Sequence, residues 1–195
     1  MSWTYHDRDR DTHHMSSVGA GVGRKVMGGE RERASADPAA LVARAIEAAR
    51  SGDRHTMERM LAAGVPVEAT SPRGDTLLML AAYAGHAPVV RLLLSRGANA
   101  DRRDPRGQTP LASAAFKGLV DVAEALLAGG ASIDAVSAEG RTPLMMAAAF
   151  NRVTTVQWLL ARGASAEARD DEGRRAIDIA RAMKAADAAA ALATE

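Results

Sequence analysis

Glycine returns at one fixed interval along most of this chain, and that period constrains the fold more than any other feature. One series runs Gly64, Gly97, Gly130, Gly163, and a second Gly74, Gly107, Gly140, Gly173. A third runs Gly52, Gly85, Gly118, with Asn151 as its next member. Apolar positions keep the same step: Leu78, Leu111, Leu144, Ile177; Ala81, Ala114, Ala147, Ala180; Leu61, Leu94, Leu127, Leu160. A fixed period of this length is the signature of an array in which one supersecondary unit is stacked on copies of itself.

Within a unit the residues read as two short helices. Thr109 and Thr142 each precede Pro and Leu. That is a capping hydroxyl followed by a proline at the first helical position, where its missing N–H costs nothing. A helix over roughly Pro110 to Lys117 is expected next, closed at Gly118 by a left-handed residue. One unit on, Asn151 takes the glycine's place, and Asn is the side chain that best tolerates that backbone. A second helix is expected from about Val120 to Ala128, stopping at Gly129 and Gly130. The polar stretch 132–140 then leads to the next capping Thr. Isolated helices below ~12–15 residues are marginal in water, so helices this short must lean on equivalent neighbours. Composition agrees: 47% of residues are hydrophobic, but 44 are alanine and only six aromatic. That suits close helix–helix packing and argues against a β-sandwich or barrel.

The stretch Gly107-Gln-Thr-Pro-Leu-Ala-Ser-Ala-Ala-Phe-Lys-Gly118, and its counterpart beginning Gly140-Arg-Thr-Pro-Leu, resemble the ankyrin repeat. The unit from Ser71 fits the family pattern best, with Gly74, Thr76, Leu78, Ala81, Ala82, Gly85, His86, Val89, Val90, Gly97 and Ala98 in place. The resemblance covers about residues 38–195. It implies an all-α fold, an ankyrin-repeat solenoid of stacked helix-turn-helix units joined by short hairpin-like turns. Units are expected at about 38–70, 71–103, 104–136, 137–169 and 170–195. The first and last serve as caps, since a terminal repeat must turn one face to water. Helices are expected over 41–50 and 54–63 in the first unit. The last is expected to hold one helix over 176–192, interrupted by Arg181, Lys184 and Asp187. No unit keeps the family's histidine after Thr-Pro-Leu: Met79, Ala112 and Met145 stand there, which bears on how neighbouring repeats are tied. His86 falls on the family's Gly-His turn, a structural place.

Residues 1–37 differ in kind. They mix Gly, Ser, Arg, Asp and His with almost no large aliphatics, and are expected to form a disordered tail. Met15 is a second candidate for the start. Gly19-Ala-Gly-Val-Gly-Arg-Lys25 lacks the spacing, the following Ser or Thr and the preceding strand of a phosphate loop. His6, His13 and His14, with Asp7, Asp9 and Asp11, offer metal ligands without a fixed geometry. The chain has no cysteine, so disulfides, thiol chemistry and Cys-based zinc sites are excluded, in keeping with a reducing compartment. In the repeats no Ser or His is placed for nucleophilic catalysis. Asp75, Glu139 and Asp171 are expected in exposed turns, where nothing tunes them for acid–base work. Neither an enzyme activity nor a metal or cofactor is expected.

Recognition is the better-supported activity. The resemblance implies that turn tips and the exposed ends of first helices line a concave surface where partner proteins dock. On that pattern the tips are Arg73 and Asp75, Arg106 and Gln108, Glu139 and Arg141, Glu172 and Arg174. Arg103, Val136 and Arg169 close the preceding units, and the variable pairs ending the first helices are Tyr83-Ala84, Phe116-Lys117 and Ala149-Phe150. The partner-binding candidates are therefore Arg73, Asp75, Tyr83, Arg103, Arg106, Gln108, Phe116, Lys117, Arg141, Phe150 and Arg174. Aromatics mixed with Arg are enriched at binding hot spots. The competing reading has the three rings filling space beside alanine-rich helices and the arginines simply solvated. Trp158, in the second-helix position of Leu92 and Ala125, reads as core.

Charge is balanced, 25 basic against 24 acidic residues, so no basic excess points to nucleic acid. Arg102, Arg103 and Arg106 form a local positive patch that favours a partner of some acidic character. The longest apolar run, Leu77–Ala84, is too short to cross a bilayer, and the N-terminal stretch holds no signal-like apolar run. The expectation is a cytoplasmic, monomeric, non-catalytic module, an adaptor or regulator, that binds another protein. Nucleic-acid or phosphorylated-ligand binding at the Arg-lined tips is the alternative. The run from Thr76 to His86, with Phe116-Lys117-Gly118 one repeat on, resembles small bacterial ankyrin proteins. Some of these are encoded beside catalase genes and linked to oxidative-stress defence, and they are often exported.

Overall fold

The computed structural model describes residues 37–193. Among them ten helices follow in pairs: α1 (Pro38–Ser51) and α2 (Arg54–Ala62), α3 (Leu77–Ala84) and α4 (Ala87–Ser95), α5 (Pro110–Lys117) and α6 (Val120–Ala128), α7 (Pro143–Ala149) and α8 (Val153–Ala161), α9 (Ala176–Ala182) and α10 (Ala186–Leu192). No strand occurs among the described residues. The odd-numbered helices pack on one another as one layer and the even-numbered helices as a second. The odd layer is the closer packed, because fully buried Ala81, Ala82, Ala114, Ala115, Ala147 and Ala148 line its contacts and let the backbones approach.

The capping logic of the sequence is realised unit by unit. The hydroxyls of Thr76, Thr109 and Thr142 accept the N–H of Met79, Ala112 and Met145 at 3.1, 3.2 and 3.3 Å. Gly85 and Gly118 close their helices at φ 88° and 80°, and Asn151 does so at φ 54°. Asn151 also ties its unit to the next: its Oδ1 accepts the Ala188 N–H at 2.9 Å and its Nδ2 donates to Asp187 Oδ2 at 3.0 Å.

Each tip is built around one buried polar side chain: Ser71, Asp104, Ser137 or Asp170. Asp104 Oδ1 accepts the N–H groups of Arg106 and Gln108, and Asp170 Oδ1 those of Glu172 and Arg174. The Ser71 and Ser137 hydroxyls do the same at their tips. A second series links neighbouring units. Glu68 accepts the Asn99 N–H at 2.7 Å, Asp101 the Ser132 N–H at 3.1 Å, and Asp134 the Ser165 N–H at 3.2 Å. These carboxylates, which hold the same place in successive units, stitch the stack where the missing histidines do not. Methionine takes part too: Met79 Sδ accepts the Ser113 hydroxyl of the next unit, while Met145 Sδ accepts the Thr142 N–H within its own, both at 3.4 Å.

Several expectations need correction. Helix α1 begins at Pro38, ahead of the expected Leu41, because Asp37 caps it by accepting the Ala39 N–H at 3.0 Å. Helix α2 stops at Ala62. The last unit holds two helices, not one interrupted helix, since Lys184 adopts φ 59° between them. Asp75 is not in an exposed turn: its side chain is only 16% exposed and accepts the Ser71 hydroxyl at 3.3 Å. Trp158 does pack on the core yet is only half-buried, with the Arg162 guanidinium 4.5 Å above its ring. The readings of the tail, including its disorder, the Gly19–Lys25 stretch and the His6, His13 and His14 cluster, lie outside the described residues.

Candidate functional site

The three candidate aromatics sit at the C-terminal ends of α3, α5 and α7, all half-buried. The rings of Phe116 and Phe150 meet edge to face, centroids 4.3 Å apart and planes at 82°. Lys117 places its Nζ 4.6 Å above the Tyr83 ring. Both contacts cross from one unit to the next, so the helix ends form a continuous ribbon, and both carry energy beyond area burial. Behind the ribbon, side chains from the next unit brace carbonyls of the previous one. His86 Nε2 lies 2.9 Å from the Arg50 carbonyl oxygen, and Arg152 Nε donates to the Phe116 carbonyl at 3.0 Å. The two contacts share one register, which fits the structural role expected of His86.

The tip candidates divide into two groups. Arg106 donates to buried Asp104 at 2.7 and 2.9 Å, and its Nη2 lies 3.8 Å from Asp75. Arg174 donates to buried Asp170 at 2.8 and 3.0 Å and pairs with Glu172 at 2.7 Å. Arg141 pairs with Glu139 at 3.0 Å, and its buried Nε lies 4.0 Å from Asp170. Gln108 belongs to the tip frame through its backbone, its carbonyl accepting the Asp104 N–H at 2.9 Å. Arg73 and Arg103, by contrast, are exposed and have no ion-pair partner among the described residues. The structure thus brings Arg106, Asp75 and Asp104 together, and likewise Arg141, Arg174 and Asp170. It leaves Arg73 and Arg103 exposed and outside these ion pairs.

Electrostatics follow from these contacts. Burial pushes the Asp170 carboxyl up, but the Arg174 guanidinium and the Arg174 and Glu172 N–H groups outweigh it and hold the carboxyl below its usual range. Asp178 is lowered by the Arg175 backbone N–H and guanidinium that it accepts. No group of three or more His, Cys, Asp or Glu side chains that could hold a metal ion occurs among the described residues. Sequence reasoning overlooked Met183, exposed to 56%. It is the counterpart of Phe150 in the last unit, so one further step along the variable-pair series would have found it.

Short helix pairs stacked in two layers and joined by capped, hairpin-like tips define a helical-repeat scaffold. Two family models match the chain: Ankyrin repeats (3 copies) over residues 45–137 and Ankyrin repeats (many copies) over residues 126–180. The chain belongs to the ankyrin-repeat family. Ankyrin repeats are generally non-enzymatic protein–protein interaction modules. A comparison with curated proteins found no match. No helix among the described residues is long and apolar enough to cross a membrane.

Proposed function

We propose that this chain is a non-catalytic adaptor or regulator that holds a partner protein on the face formed by its tips and first-helix ends, acting as a monomer. The observation that carries the reading is the ribbon of Tyr83, Lys117, Phe116 and Phe150, bridged between units and half-exposed. Half-exposed rings held by neighbours bind with little loss of side-chain freedom, the property that makes aromatics hot spots. Arg73 and Arg103 flank them as rim charges. The alternative of nucleic-acid or phosphorylated-ligand binding gains little from the tips, because Arg106, Arg141 and Arg174 already face carboxylates and Arg73 alone of the four tip arginines does not. The proposal extends to a bacterial cytoplasmic setting and a part in the stress response, on the strength of the resemblance to small bacterial ankyrin proteins.

The test is affinity capture from the native lysate by the wild-type chain and by a Tyr83→Ala, Phe116→Ala, Phe150→Ala triple variant, both shown to be folded by circular dichroism. A protein held by the wild type and lost from the variant is the expected result. Equal capture by both moves the site elsewhere and sinks the reading.

A further inference from the structure

The contacts across the first-helix ends recur diagonally: Tyr83 with Lys117, then Phe116 with Phe150, the second member of each pair lying one unit and one position further on. The next pair on that diagonal is Ala149 with Met183. Alanine is too short to cover a methionine, and Met183 is left 56% exposed. Ala149 therefore leaves a gap in the row, bounded in register by an aromatic ring and a thioether. Lys184 comes next, at φ 59°, in the place that Gly52, Gly85, Gly118 and Asn151 hold in the other units. Lysine there carries backbone strain that glycine would not, and it has no ion-pair partner among the described residues. Strain held where no internal contact rewards it is a sign of use.

The charges around the gap point one way. Lys117, Arg152, Arg181 and Lys184 are exposed. Two carboxylates belong to the same stretches and keep their charge: Asp121, which accepts the Val122 N–H at its own helix start, and Asp187, which accepts from Asn151. Four exposed cations against two carboxylates leave the row with an excess of positive charge. We propose that the row from Phe116 to Lys184 is an anchor socket for an acidic segment of the partner protein that carries one large apolar side chain. That side chain covers Ala149 and Met183, and the segment's carboxylates face Lys117, Arg181 and Lys184. The proposal rests on the interaction-module reading above and gives the partner its chemistry.

Panning a displayed library of random dodecapeptides over the full chain tests it. The expected winners carry net negative charge and a single Leu, Ile, Met or Phe. Met183→Ala weakens their binding about tenfold. Lys184→Gly weakens it about fivefold and at the same time raises the melting temperature, a pairing that a purely structural lysine does not give. Basic or uncharged winners overturn the proposal, as do acidic winners indifferent to both substitutions. Peptides lost on Arg73→Ala with Arg103→Ala, yet kept by the Met183 and Lys184 variants, overturn the socket and leave the interaction-module reading standing. No enrichment at all fells both.

Discussion

Thr155 occupies the core position that Val89 and Val122 hold in the two preceding units. It is 1% exposed, and its hydroxyl has no hydrogen-bond partner among the described residues. A buried hydroxyl left unsatisfied costs roughly 1–3 kcal/mol, while replacing it by a methyl of the same shape restores packing at no polar cost. Thr and Val are both β-branched and nearly equal in helix propensity, so α8 itself is indifferent to the exchange. A hydroxyl can rotate toward weaker contacts, which places the expected gain for Thr155→Val at the low end, about 1 kcal/mol. For an array of this size that is a rise in melting temperature of roughly 2–4 °C, and a higher urea midpoint at unchanged slope. The reciprocal change, Val122→Thr, is expected to cost about 1–2 kcal/mol. An unchanged or lowered midpoint for Thr155→Val would refute the reasoning, because it would mean that the hydroxyl has a partner worth keeping.

Three further outcomes follow from the inter-unit and tip contacts. Asp101→Ala removes the acceptor for the Ser132 N–H and is expected to cost about 1 kcal/mol in urea unfolding. Glu167→Ala, at the same repeat position but engaged only in an exposed pair with Arg175 at 3.3 Å, should leave the urea midpoint where it is. Asn151→Ala loses the cap on Ala188 and keeps a left-handed backbone, for about 1–2 kcal/mol; thermal melts should show Asn151→Gly losing less, since glycine relieves the backbone. The Asp170 carboxyl is depressed in the fold, so its contribution is full above the unfolded value and is lost as pH falls through the folded one. Stability measured from neutral pH into the acid range should therefore fall less steeply for Asp170→Asn than for wild type.

Much of the scaffold could be read before any coordinates because its signals are local and repeated. A Thr-Pro pair and a glycine in fixed step specify a cap and a left-handed stop wherever they occur, and α5, α6 and their caps lie where those signals put them. Lys184 broke the reading of the last unit for the same reason: lysine carries no stop signal, yet it takes the left-handed backbone at the place glycine holds in earlier units. The Glu68, Asp101, Asp134 series was visible as a period, but its role depends on which backbone N–H faces it one unit away. The candidate ribbon was legible as far as its positions. Its pairing was not, because the sequence does not say that Phe116 reaches Phe150 rather than Tyr83. The tip arginines misled in a similar way, since their charge was plain and their buried partners Asp104 and Asp170 were not.

The most direct test of the central claim is amide hydrogen exchange of the full chain, alone and with the partner captured by the wild type. The account predicts slowed exchange at the tips, residues 71–76, 104–109 and 137–142, and at the helix ends, residues 83–86, 116–119 and 149–152. Protection confined to α2, α4, α6 and α8, or to residues 1–36, would contradict it.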